Sequence, residues 1–135
     1  MNKTNAYRKQ DLFGGWTRVD LLLHIYDRAI DSLNLAQEAQ KQNNGEFAEH
    51  FVAAQKAIVA IHAGLKPDEH QIAYDTARLL HFVLTCLESN QLADAVKILT
   101  NMRSGFAAIQ EEANESEANG EIPSMHVQNQ FAANV

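Results

Sequence analysis

The sequence predicts an all-α fold, an antiparallel up-down-up-down four-helix bundle. Four segments carry apolar side chains at helical spacing, and none alternates apolar and polar residues as a strand does. Short polar breaks separate the segments, and breaks of that length connect antiparallel neighbours. At 135 residues and 46% apolar content, the chain can bury a core without disulfides or a metal. We expect an extended N-terminal arm over 1–16, the bundle over 17–113 and a polar C-terminal tail, disordered or loosely docked, over 114–135.

Helix one is predicted to begin near Arg18 and to end near Gln42. Thr17, followed three residues later by Asp20, approximates a capping box and marks the start. Residues 43–45, Asn-Asn-Gly, tolerate positive φ and suit a C-terminal stop. The helix has an unusually wide apolar face: its apolar residues cover an arc of about 200°, where a packed surface helix needs a stripe a little over 100° wide. We expect a partner beyond the fold to cover the excess.

Positions along this arc are expected to differ in role. The central residues Leu22, Tyr26, Ala29 and Leu33 are predicted to lie in the core. Residues at the edges could face either the core or an open groove, and these are Leu21, Leu23, Ile25 and Ile30. On the polar face, Asp27 and Asp31 are expected to be solvated.

The other three helices follow in order. Helix two, over 46–64, has a core stripe and a second, shallower stripe, in which Val52 and Val59 are undecided between core and groove. Helix three, over 68–89, starts after Pro67 and is apolar around more than half its circumference, so we expect it to be the most enclosed. Helix four is predicted to run from Leu92 to Ala113.

Charge and cysteine content narrow the function. The formal charge is −6 and the cations are scattered singly, which argues against nucleic acid or an anionic membrane as partner. Helix one is too polar for membrane insertion. The single cysteine, Cys86, has no intrachain partner and is expected to be buried and structural. No apolar core of a secretory signal precedes the helices, so we expect a cytoplasmic protein.

No catalytic or metal-binding pattern is found. None of the six histidines follows an acidic residue at the Glu-x-x-His spacing, and no two are one helical turn apart, so neither a metal nor a cofactor is expected. His62 loosely resembles the phosphorylated histidine of phosphotransfer bundles, although Gly64 precedes Lys66 and the order is reversed. We therefore expect a protein that is not an enzyme, with phosphotransfer through His62 as an alternative.

Five motifs occur in a recognisable order. The first is Asn5-Ala6-Tyr7, near the start of the sequence. The second is LLLHIYDRAI at 21–30, which is similar to a family motif, Leu-Tyr-Asp-Gly-Ala-Ile. AQKAI at 54–58, LESN at 87–90 and MRSGF at 102–106 are similar to Lys-Ala-Gln-x-Ile, Leu-x-x-Ala-Asn and Phe-Arg-x-Ala-Trp. Together these motifs resemble those of the flagellin export chaperones, the FliS family, over residues 5–113. The chain departs from that pattern at 79–83, where LLHFV replaces Leu-Tyr-x-Tyr-Met and loses both tyrosines, which indicates a divergent member.

The resemblance implies a function. Such a chaperone holds the disordered C-terminal segment of flagellin in apolar grooves and prevents its polymerisation before export. The candidate groove residues are Leu21, Leu23, Ile25, Ile30, Val52 and Val59. The resemblance further implies that the arm carrying Asn5, Ala6 and Tyr7 covers the empty groove, and that the flagellar export gate is a second candidate partner. A homodimerising helical adaptor is another alternative, since surplus apolar surface also suits self-association, and both monomer and homodimer stay open.

Overall fold

A computed structural model describes residues 17–120, which form five helices and no strand. The helices are α1 (Arg18–Gln42), α2 (Phe47–Ala63), α3 (Gln71–Glu88), α4 (Leu92–Ala108) and α5 (Gln110–Ala118). The predicted all-α class is confirmed, and the antiparallel arrangement of the four long helices stays a prediction. The predicted arm over 1–16 and the end of the tail, 121–135, lie outside the described residues.

Both ends of α1 match the signals in the sequence. The Thr17 amide donates to Asp20 Oδ2 at 3.1 Å, and the Asp20 amide donates to Thr17 Oγ1 at 3.2 Å, which is a reciprocal capping box. At the other end Asn43 has φ 54°, and the Asn44 amide donates to the Ala39 carbonyl at 3.1 Å. This hydrogen bond, from an amide to a carbonyl five residues earlier, is typical of a Schellman motif. It satisfies a carbonyl that the helix leaves unpaired.

The boundaries of α2 and α3 show where turn chemistry overrides periodicity. α2 ends within one residue of its predicted limits. α3 begins at Gln71 rather than Asp68, because residues 67–69 form a turn in which the Glu69 amide donates to the Lys66 carbonyl at 3.0 Å. His70 then adopts an extended backbone and serves as N-cap. A turn of three residues therefore precedes α3.

The helix α5 corrects the prediction for residues 109–118. α4 ends at Ala108, Ile109 interrupts the helix with φ −107° and ψ 10°, and α5 continues to Ala118. The predicted tail begins at Asn114, but residues 114–118 belong to α5. That part of the prediction is therefore corrected. Apolar periodicity stops at Ala113, so the sequence pattern could not register a helix that is held through polar side chains.

The chain divides into two compact units. The described part of one unit comprises residues 17–23 and 106–120, and a polar cluster joins its segments. Gln110 Nε2 donates to Asp20 Oδ1 at 2.8 Å, the Thr17 hydroxyl hydrogen-bonds Asn114 Oδ1, and Glu117 Oε1 accepts from the first amide of α1 at 2.9 Å. Burial alone would raise the pKa of Asp20, but the hydrogen bonds from Gln110 and Thr17 outweigh it and leave that pKa below its usual value. α5 thus supplies partners for the N-terminus of α1.

The other unit, residues 24–105, contains a core to which α1, α2, α3 and α4 all contribute, and α2 packs against α3. Three of its predicted core positions, Tyr26, Ala29 and Leu33, are confirmed as fully buried; the fourth predicted position, Leu22, belongs to the first unit and is half-buried. Burial raises the pKa of Tyr26 to about 12. The largest fully buried side chains of the core are Tyr26, Leu33, Ile58, Leu80, Leu99 and Val83.

Asp27 is partly exposed, as expected, and also forms an ion pair with another helix. Arg103 of α4 donates to it from two nitrogens, with Nε 2.5 Å from Oδ1 and a terminal nitrogen 3.1 Å from Oδ2. These hydrogen bonds raise the pKa of the Arg103 guanidinium above its usual value. Helical periodicity could not predict this ion pair, because the two partners lie 76 residues apart in the sequence.

Candidate functional site

An open apolar groove is formed by α2 and α3. Its volume is about 700 Å³. Val52 is 42% exposed and Val59 is 52% exposed, which is high for branched apolar side chains in one cluster. The groove is lined by Val52, Gln55, Lys56, Val59, Ala60, Ala63, Leu84 and Glu88. Most of its lining surface is apolar, so it suits an apolar partner surface better than a polar ligand.

The sequence of α2 explains why the groove exists. Ala54, Ala57, Ile58 and Ile61 are buried and form the stripe that faces the core. Val52, Val59 and Ala63 are separated by seven and four residues, which places them on a common face, about half a turn from the buried stripe. α2 therefore uses one apolar stripe for folding and keeps the other at the surface.

Two charged side chains lie on the groove lining. Lys56 comes from α2 and Glu88 from the last turn of α3, and both are exposed. Within residues 17–120 neither makes an ion pair. A mostly apolar groove thus carries one cation and one anion that are available to a partner.

The six candidate groove residues have different environments. Val52 and Val59 lie together in the groove. Leu21, Ile25 and Ile30 of α1 are half-buried and do not line it. Leu23 is only 6% exposed, so it belongs to the buried side of α1 and is corrected from groove candidate to core residue.

The wide apolar arc of α1 is mostly used inside the protein. Along it the buried residues are Val19, Leu23, Tyr26, Ala29, Leu33 and Ala36. No residue of the arc is among the strongly exposed large apolar side chains of the described chain. The other four residues of the arc are half-buried, so α1 carries less surplus apolar surface than the sequence predicts.

Most of the surplus lies on α2 and α3 instead. α3 carries four strongly exposed apolar side chains, with Ile72 74%, Phe82 54%, Tyr74 47% and Leu79 45% exposed. The prediction that helix three is the most enclosed is wrong. Its apolar residues encircle more than half of the helix, but its neighbours cover only part of that surface. An apolar pattern around more than half of a helix is compatible with an exposed docking surface as well as with a deeply buried helix. The sequence pattern alone could not distinguish the two.

The histidines do not form a metal site in the part of the chain that the structure describes. No group of three or more His, Cys, Asp or Glu side chains there could hold a metal ion. His50 contacts Glu46 at 3.5 Å, and His62 is exposed at the end of α2. Cys86 is buried at 2% exposure, as expected for a structural thiol. No helix in residues 17–120 is long and apolar enough to cross a membrane.

Comparison with known protein families identifies the family of this chain. A family model described as flagellar protein FliS matches residues 1–115. The chain belongs to the FliS family. FliS proteins are flagellar export chaperones that bind flagellin. No curated protein and no solved structure matches the chain.

The FliS motifs can now be placed on the fold. Asp27, from the first-helix motif, pairs with Arg103, from the helix-four motif, so two motifs that are distant in sequence meet in the structure. The two tyrosines of the FliS helix-three motif Leu-Tyr-x-Tyr-Met correspond to Leu80 and Phe82 in this chain. Leu80 is fully buried, and Phe82 is 54% exposed. The arm motif Asn5-Ala6-Tyr7 lies outside the described residues. Its role as a groove cover stays a prediction.

Proposed function

We propose that this FliS protein binds the C-terminal segment of flagellin in the groove formed by α2 and α3, in the cytoplasm, and so prevents polymerisation before export. The observation that supports this proposal is the exposed valine stripe of α2 in a groove of about 700 Å³. Family membership supplies flagellin as the client. The groove supplies an apolar surface that the fold leaves uncovered.

The spacing of the groove residues fits a helical client. Val52 and Val59 are seven residues apart on α2, which corresponds to about 10 Å along the helix axis. An amphipathic helix presents anchors at i, i+3, i+4 and i+7 over the same length, so two of its apolar side chains can contact the two valines. A client that folds on binding gives up conformational entropy, and burial of apolar surface offsets that cost.

Binding at the groove also explains how polymerisation is prevented. A segment that is helical and covered on its apolar face cannot offer that face to another flagellin molecule. The half-buried residues Leu21, Ile25 and Ile30 of α1 are proposed as secondary contacts. By family resemblance, the arm residues Asn5, Ala6 and Tyr7 are proposed to shield the empty groove, and the export gate is proposed as a second partner.

A calorimetric titration tests the proposal. The C-terminal segment of the host flagellin is titrated into wild-type protein, Val59→Asp and a matched control, Leu35→Asp, which alters an exposed apolar residue of α1. We expect Val59→Asp to weaken binding at least about tenfold, because a carboxylate would be buried against an apolar client. Leu35→Asp should bind as wild type does. Equal affinity of all three proteins would contradict the proposal, provided that far-UV circular dichroism shows each to be folded.

Two alternatives remain testable. His62 is exposed, so the burial that would have excluded phosphotransfer is not found, but the FliS family match supports binding rather than phosphoryl transfer. Acid-labile phosphorylation of His62 by a response regulator would support that alternative. Exposed apolar surface on α2 and α3 also suits a homodimer, and a concentration-independent monomer in sedimentation equilibrium would exclude it.

A further inference from the structure

A second pocket, separate from the flagellin groove, lies along the outer side of α3. Its volume is about 460 Å³, and it shares no lining residue with the first groove. It is lined by His62, Pro67, Tyr74, Ala77, Arg78, His81, Phe82 and Thr85. None of these residues is acidic, although the chain as a whole has 17 acidic and 11 basic residues. Carboxylates occur next to the pocket rather than in it, because Asp68 and Glu69 line an adjoining pocket that shares Pro67 and Tyr74.

Arg78 lies beside an aromatic ring in this pocket. Its guanidinium carbon lies 5.9 Å from the centroid of the Tyr74 ring, within the range of a cation–π contact. Arg78 makes no ion pair with any described carboxylate, and Asp75, its acidic neighbour one turn earlier, accepts a hydrogen bond from Gln71 at 2.9 Å instead. The guanidinium therefore has donors with which it can bind a partner's carboxylate at two points.

The pocket also offers apolar surface beside this cation. Tyr74 is 47% exposed and Phe82 is 54% exposed. Tyrosine and arginine are enriched among the residues that dominate the energy of protein interfaces, because each combines a large contact surface with directed polar groups. A ligand that suits the pocket needs a carboxylate and a neighbouring apolar side chain.

We infer that this pocket binds a short acidic segment of a protein partner, with a carboxylate on Arg78 and an adjacent apolar side chain against Tyr74 and Phe82. Charge favours a short peptide over nucleic acid or an anionic membrane. An extended polyanion would face the whole molecule, whose formal charge is −6, whereas a short segment senses mainly the charges within a Debye length of about 10 Å. This inference does not depend on flagellin binding.

Two synthetic peptides test the inference with the full chain. One has the sequence Ac-Ala-Asp-Asp-Leu-Phe-Ala-NH2, and the other replaces both aspartates with asparagine. Binding is followed by NMR chemical-shift titration of the wild type, Arg78→Glu and a control, Arg28→Glu, which reverses an exposed charge on α1. Val59→Asp is included to separate this pocket from the flagellin groove.

We expect the aspartate peptide to shift the signals of Tyr74 and Phe82 and to bind the wild type about tenfold more tightly than the asparagine peptide. Arg78→Glu should abolish that preference, while Arg28→Glu and Val59→Asp should retain it. Equal binding of the two peptides to the wild type would overturn the inference. So would an aspartate preference that survives Arg78→Glu, or a failure of both peptides to bind accompanied by self-association that Arg78→Glu removes in sedimentation equilibrium.

Discussion

Asp27 of α1 and Arg103 of α4 form a two-point ion pair, with donor–acceptor distances of 2.5 and 3.1 Å. The Arg103 side chain is 35% exposed and the Asp27 side chain 47% exposed, so water screens the pair. The two-point geometry nevertheless fixes how the two side chains approach each other. The pair therefore specifies how α1 contacts α4 more than it stabilises the fold.

A double-mutant cycle tests this conclusion. Asp27→Ala, Arg103→Ala and the double variant are unfolded in urea, with Asp31→Ala as a control at an exposed position one turn along α1. We expect a coupling free energy of about 0.5–1 kcal/mol, the upper part of the range for exposed ion pairs, because Arg103 donates two hydrogen bonds to the Asp27 carboxylate. The control should show no coupling with Arg103→Ala. A coupling free energy of zero for Asp27 and Arg103 would contradict the account.

The Asp20 carboxylate should make the stability depend on acidity. Its pKa is lowered in the folded chain from a reference value of 3.8, so its contribution is complete above that value and is lost as the pH falls through the lower folded pKa. Asp20→Asn should therefore be less stable than the wild type at pH 6, and the difference should shrink below about pH 4. Gln110→Ala, which removes a hydrogen-bond partner, should reduce the same difference. Urea midpoints across this pH range measure it, and a gap that widens on acidification would refute the assignment.

α5 should protect the first turn of α1 from solvent. Glu117 accepts a hydrogen bond from the Arg18 amide at 2.9 Å. In Glu117→Ala we expect that amide to exchange with deuterium about fivefold faster, as for a lost hydrogen bond of about 1 kcal/mol. Glu115→Ala, which changes an exposed carboxylate of the same helix, is the control. Unchanged exchange of the Arg18 amide in Glu117→Ala would show that α5 does not stabilise this end.

Truncation of Leu23 should destabilise the protein much more than truncation of Val59. Leu23 is 6% exposed, so Leu23→Ala should lower the free energy of unfolding by about 2–5 kcal/mol. Val59 is 52% exposed, so Val59→Ala should lower it by no more than about 0.5 kcal/mol. Urea unfolding of both variants measures the two losses. Similar losses would remove the distinction between core and groove.

Local signals predicted most of the helices. The reciprocal bonds of Thr17 and Asp20, and the positive φ of Asn43, follow from side-chain chemistry within a few residues. The continuation of the chain into α5 could not be predicted in the same way. Its helix depends on polar contacts between Asn114 and Thr17, and between Glu117 and Arg18, which are almost one hundred residues apart in sequence.

The groove was predictable only in part. The second stripe of α2 predicts that Val52 and Val59 share a face outside the core stripe, and both line the groove; their role in binding stays a prediction. Leu84 and Glu88 of α3 could not be paired with them, since helical periodicity does not say which faces of two helices adjoin. The same limit explains why the wide arc of α1 suggested an open surface where the fold supplies buried neighbours.

Photo-crosslinking tests the central claim most directly. A photoreactive amino acid replaces Val59 in one protein and Leu35, exposed on α1, in another, and each is irradiated with full-length flagellin monomer. Position 59 should crosslink to apolar residues of the flagellin C-terminal segment that recur every three or four positions, as expected for a helix in the groove, and position 35 should not. Crosslinks at position 35 with none at position 59 would contradict the account.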